Sequence, residues 1–209
     1  MFHDRFFPRE EGGTSVAVAY AQTRLISARL AAQTGRCAAA LGEVDALATE
    51  QPGLPFTAGG LGDLLAQTAL SHQAAEVEWA CGRRRQARAR WEHLAGLRSG
   101  RSPMNVAIAS LAAGSLGRAD GAAERSVLQA ALADASSALD TGGASNPGVT
   151  ECARGLLLQA LGRDAESRRS LRRVFLFPDR NLSHVLARAA LHARLSRGSQ
   201  AATRLRSSR

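Results

Sequence analysis

The stretch PGVTECARGLLLQALGRDAESRRSLRRVFLFP, Pro147 to Pro178, decides the fold. It reads as a helix, a tight turn at Gly162–Arg163, and a second helix running back against the first. Asn146–Pro147 is a strong start signal: an N-cap residue followed by proline at the first helical position, where the missing N–H costs nothing. Asp164 and Glu166 stand at the start of the second helix and Arg168, Arg169, Arg172 and Arg173 toward its end. That order suits the helix dipole, and Asp164–Arg168 has i,i+4 spacing.

Weaker copies of this unit fill most of the chain. Upstream, Ser102–Pro103 repeats the start signal and opens a helix to about Leu116, and a partner helix runs from about Ala122 to Leu139. Before it, Asp63 can cap a helix over Leu64–Cys81, which turns at Gly82–Arg83 into another reaching about Gly96. A first pair follows a Thr14 or Ser15 cap, turns at Thr34–Gly35–Arg36 and runs from Cys37 to about Thr49, where Pro52 stops it. The Pro- and Gly-rich run PGLPFTAGGLGD reads as a loop. Downstream, Asp179 or Asn181 can cap a last helix over Leu182–Leu195.

Four turn glycines, Gly35, Gly82, Gly117 and Gly162, put these units in register. Seven places before them stand Ala28, Ala75, Ser110 and Gly155, and five places after stand Ala40, Ala87, Ala122 and Ser167. Thirteen places after come Ala48, Ala95, Ala130 and, breaking the pattern, Phe175. Small residues at helix crossings let two antiparallel axes approach closely. This arrangement, over roughly Ser15 to Pro178, resembles the tetratricopeptide (TPR) family. The spacings from Gly35 to Gly82 and from Gly117 to Gly162 exceed the family's period of about 34 residues, so inserted loops are expected there.

The resulting expectation is an all-α fold, with antiparallel helix hairpins stacked as a short TPR-like right-handed solenoid. Residues 1–13 form a tail, 14–198 the repeat domain and 199–209 a basic tail. Within the domain the units span about 15–52, 63–99, 102–139 and 147–178, with a capping helix at 181–196. The resemblance implies that first helices line a concave groove. On that mapping the groove presents Gln22, Arg29 and Gln33, then His72, Glu76 and Trp79, then Met104 and Leu111, and finally Gln159.

Composition narrows the chemistry. Aromatic residues are 4% of the chain, so the core must come from Ala, Leu and Val, which suits packed helices better than a sheet. The net charge of +9 is carried by arginine alone, because the chain has no lysine. A Schiff base, a P-loop lysine and a lysine general base are therefore excluded. Cys37, Cys81 and Cys152 are odd in number and lack C-x-x-C spacing, which reads as reduced, buried thiols in the cytoplasm. No run is suited to a signal peptide or a membrane span.

Two other features carry possible chemistry. Arg83, Arg84, Arg85 and Arg88 crowd a helix N-terminus, against the dipole, and form a candidate anion patch. His72 and Glu76 share a helix face but have no third metal ligand at matching spacing. No metal, cofactor or catalytic signature is expected, and the chain does not read as an enzyme. The function expected is a non-catalytic scaffold that binds a peptide or protein segment in the groove. The alternative is a basic nucleic-acid-binding module using the arginine cluster 83–90. The first helix lacks an obvious polar cap, which also leaves room for self-association.

Overall fold

The computed structural model describes residues 16–66, 68–97, 102–118, 121–178 and 183–191, and every regular element among them is helical. The N-terminal tail, the Thr14/Ser15 cap, the Asp179 and Asn181 caps, the end of the last helix and the basic tail lie outside the described residues. The helices are α1 (Val16–Gln33), α2 (Cys37–Ala48), α3 (Gly62–Leu65), α4 (Thr68–Ala80), α5 (Arg84–Ala95), α6 (Pro103–Ser115), α7 (Ala122–Asp140), α8 (Pro147–Ala160) and α9 (Asp164–Arg173). A further helix, α10, covers 183–191. No helix among the described residues is long and apolar enough to cross a membrane.

One turn closes four of these helices. Gly35, Gly82, Gly117 and Gly162 all have φ between +72° and +86°, a left-handed conformation that glycine adopts without a Cβ penalty. In each case the next residue, always arginine, sends its backbone N–H back to a carbonyl five residues earlier. The bonds are Arg36 to Ala31 at 2.9 Å, Arg83 to Glu78 at 2.8 Å, Arg118 to Ala113 at 3.0 Å and Arg163 to Leu158 at 2.9 Å. The bond satisfies a carbonyl that the ended helix leaves without a partner. At the other ends, Asn146 Oδ1 accepts from the Val149 N–H at 3.0 Å and Ser102 Oγ from the Asn105 N–H at 3.4 Å.

The chain divides into two compact units. The first holds the described residues up to Leu97 together with Leu111–Arg118, and the second holds the rest, so the division falls inside α6. In the first unit α1 packs on α2, α4 on α5, and α4 also on α1 and α2. Its core is Leu25, Val44, Leu47, Leu70, Val77, Trp91 and Leu94. In the second, α8 packs against both α7 and α9, around Leu128, Leu156, Leu157, Leu171 and Val174.

Small residues sit at the crossings of three hairpins. Ala28 and Ala40 are fully buried in α1 and α2, Ala75 and Ala87 in α4 and α5. At α8 and α9 the pair is Gly155 and Ser167, whose hydroxyl donates to the Gly155 carbonyl at 2.8 Å. The pattern fails in the third copy, where Ala122 and Ala130 are exposed, and Ala48 is exposed in the first. Gly155 marks the closest approach: a Cβ there would lie 2.7 Å from Leu171 Cγ and Cδ2 and 3.2 Å from its backbone nitrogen. Gly155→Ala gains about 1 kcal/mol of helix propensity, yet overpacking beside a fully buried leucine costs about 1–3 kcal/mol. A net loss of about 1 kcal/mol is expected, seen as a lower urea midpoint; a raised midpoint would refute the close crossing.

Two sequence expectations change. The helix expected over Leu64–Cys81 is broken into α3 and α4, because the chain is pulled inward on its way from α2. The Leu61 N–H donates to the Leu47 carbonyl at 2.8 Å, and the Leu61 and Leu65 side chains are buried. Nothing in the run LLAQTAL signals that turn. The loop expected from Pro52 to Asp63 also holds a short 3-10 turn and the start of α3. Its 3-10 turn, Pro55–Thr57, buries Thr57, whose hydroxyl donates to the Leu54 carbonyl at 2.7 Å and accepts from the Gln51 N–H at 2.9 Å.

Candidate protein-binding surface

The Cys81–Gly82–Arg83 turn folds α5 back along α4 and gathers three large side chains. Trp79, in the last turn of α4, is 41% exposed, while Trp91 of α5 is 3% exposed. Their ring centroids lie 5.2 Å apart, and the Arg84 guanidinium sits 5.3 Å from the Trp79 ring centre on its face. Buried Trp91 thus forms a rigid backing for exposed Trp79, and Arg84 adds a cation over the indole. Large exposed aromatics held in a fixed rotamer are the side chains that anchor protein interfaces.

No family model, curated protein or solved structure matches this chain. The site's character therefore rests on its geometry.

The expected groove residues separate into groups. Arg29, His72 and Glu76 meet at the seam where α1 packs on α4, and Arg29 Nη1 donates to Gln73 Oε1 at 2.9 Å. His72 is a correction: it is 6% exposed, and neither ring nitrogen has a hydrogen-bond partner. Burial drops its pKa below the usual histidine range, partly offset by Glu76 and reinforced by Arg29. It is a neutral core side chain, because α1 covers the face on which the sequence alone would present it. Gln22 and Glu76 are half-buried and Gln33 is exposed; Leu111, also half-buried, belongs to the first unit. Met104 and Gln159, half-buried as well, belong to the second.

The anion patch is smaller than its sequence suggests. Arg83 grips Asp45 of α2 with both Nη atoms, at 2.5 and 2.7 Å, and this contact holds the Asp45 carboxyl below its ordinary range. Arg84 lies over the Trp79 ring, its charge paired with no carboxylate among the described residues, and Arg84, Arg85 and Arg88 are all exposed. Nearby, Arg90 pairs with the buried carboxylate of Glu78 at 3.0 Å. Asp45 offsets the charge of the first of these arginines, and only the packing of α2 could reveal it.

The reading of three reduced thiols is also corrected. Cys37 and Cys81 form a disulfide with Cα atoms 5.1 Å apart. Cys37 opens α2 directly after one glycine turn and Cys81 sits in another; the packing of α4 on α1 and α2 brings the two turns together. Cys152 keeps its free thiol, fully buried, donating weakly to the Ser183 carbonyl at 3.4 Å. Burial pushes its pKa up to about 12, so it is inert. Among the described residues no group of three His, Cys, Asp or Glu could hold a metal ion.

A second hollow was not anticipated. In the second unit, α7 and α9 both rest on α8 and leave a groove of about 780 Å³ between them. Leu132 and Leu158 lie nearly buried in its floor. Its rim carries Arg163, Arg169, Arg172 and Arg173, and the less exposed Arg154 lies deeper. On the sequence alone the arginines of 168–173 are accounted for by the helix dipole. Their i,i+3 and i,i+4 spacing was the available signal, but the opposing wall comes from α7, distant in sequence.

Proposed function

We propose that this chain is a non-catalytic, TPR-like helical scaffold that binds a peptide or protein segment at the Trp79 surface. The carrying observation is the exposed Trp79 ring, braced by buried Trp91 and covered by Arg84. Three hairpins with one turn chemistry and small crossing residues support the TPR-like reading and, with it, a right-handed stack. Binding would work by burying an apolar anchor of the partner against the indole, with Arg84 orienting a carbonyl or carboxylate beside it. Compared with the sequence reading, His72 drops out and Trp91 and Arg84 enter.

Trp79→Ala tests this reading. Trp79 is largely exposed, so helicity by circular dichroism is expected to persist. A partner recovered from native lysate by the unaltered chain should then bind the variant about thirtyfold or more weakly, as expected for an interface anchor worth about 2 kcal/mol. Unchanged affinity would end the proposal.

The nucleic-acid alternative now rests on Arg84, Arg85 and Arg88, since Arg83 is paired with Asp45. The cytoplasmic placement rested on three free thiols and on the lack of a run suited to a signal peptide or a membrane span. Disulfides persist in oxidising surroundings, so the Cys37–Cys81 pair weighs against that compartment.

A further inference from the structure

We propose that the groove between α7, α8 and α9 is a second binding site, one that takes an acidic peptide segment in extended form. It lies wholly in the second unit and does not depend on the Trp79 reading.

The groove carries a surplus of positive charge. Five arginines line the groove, against Glu166 on the rim and Glu151 beneath. Both carboxylates are engaged: Glu166 is held by Arg163 at 2.6 and 2.8 Å, and Glu151 by Arg154 at 2.7 Å. Arg169 and Arg172 stand exposed, and Arg173 reaches Glu151 only at 3.7 Å with most of its side chain in solvent. The surplus is positive and concentrated along one wall.

One guanidinium of the groove is held in place before any ligand arrives. Arg154 is fixed from two sides, its Nε donating to Ser170 Oγ at 3.0 Å and its Nη2 to Glu151. A guanidinium carries five N–H donors in a rigid fork. Two are committed by these bonds, and its side chain is 18% exposed. It is a fixed donor at the groove floor, where a carboxylate would meet little competition from water.

The shape selects among anions. Arg169 and Arg173 lie one helical turn apart, an axial rise of about 6 Å. Alternate side chains of an extended peptide repeat at about 6.6 Å, so two carboxylates spaced i,i+2 match that wall. The Leu132 and Leu158 floor suits an aliphatic side chain between them. None of the lining residues is aromatic, so bases would find no stacking platform of the kind that single-stranded nucleic acid uses.

The test is fluorescence anisotropy with a labelled synthetic peptide of alternating glutamate and leucine, titrated with the full chain at low and moderate salt. Saturable binding that weakens as salt rises is expected. Arg169→Ala/Arg173→Ala, which alters exposed side chains only, should weaken it about tenfold or more. Trp79→Ala should leave it unchanged, which separates this site from the first surface. Equal binding of the glutamine-for-glutamate peptide would overturn the proposal. So would an unaffected double variant that keeps its helicity, or tighter binding of a single-stranded oligonucleotide than of the glutamate peptide.

Discussion

Reducing the Cys37–Cys81 bond is expected to destabilise the first unit by about 4 kcal/mol. The bond joins residues 44 apart in sequence, so it removes from the unfolded chain the entropy of a long open loop. For a loop of that size the chain-entropy relation gives about this value. That is a large share of the stability of an ordinary small domain, about 5–15 kcal/mol. The core it reinforces relies heavily on alanine: Ala21, Ala28, Ala40, Ala74, Ala75 and Ala87 are all fully buried. Each alanine brings little apolar area. Urea unfolding followed by tryptophan fluorescence reads this unit selectively, because the chain's two tryptophans, Trp79 and Trp91, both lie in it. The midpoint should fall with reductant and fall similarly in Cys37→Ser/Cys81→Ser. Cys152 leaves the comparison clean, since its buried thiol is protected in the folded protein. Identical midpoints with and without reductant would show that the bond does not hold the unit together. The same chemistry bears on location: thiol labelling in unbroken cells should find this pair blocked if the protein resides in an oxidising compartment, and open if it is cytoplasmic.

Arg154→Met should cost the second unit about 3 kcal/mol. Glu151 is 2% exposed and pairs with Arg154 at 2.7 Å. Methionine fills much of the arginine's volume but leaves the carboxylate buried without its main cation. Breaking one side of a buried pair is expensive because the remaining charge has lost both water and partner, typically about 3–5 kcal/mol. The lower end applies here. Arg173 remains 3.7 Å away as a weaker substitute, although 63% of its side chain is exposed. Ser170 also loses a donor to its hydroxyl. Neutralising both partners, Glu151→Gln/Arg154→Met, should restore much of the loss, because no unpaired buried charge then remains. Circular dichroism and hydrogen exchange in α8 and α9 would measure this. A double variant as unstable as the single one would assign the effect to packing instead of charge.

Several turns were legible in the sequence because their causes are local. A glycine that must take positive φ, an asparagine or serine before a proline, and a small residue at a fixed distance are each written within a few positions. They place α1, α2, α5 to α8 and the start of α9 to within a residue or two of where they lie. The break between α3 and α4 was not legible, since its cause is the burial of Leu61 and Leu65 against parts of the chain far from them in sequence. The candidate site followed the same division. Trp79 could be singled out as a large aromatic, yet its exposure depends on Trp91 and Arg84 arriving from the next helix. His72 looked available on a helical face until α1 covered it.

Composition and short-range spacing by themselves determined an all-helical chain, its glycine–arginine turns, its alanine-rich crossings and the absence of lysine chemistry. Tertiary packing alone decided which arginines are paired, Arg83 with Asp45 and Arg154 with Glu151, and which stand exposed. It also decided that Cys37 and Cys81 meet and that α7 and α9 leave a groove over α8. Backbone conformation responds to neighbours a few residues away, whereas exposure and pairing are properties of surfaces brought together from distant segments.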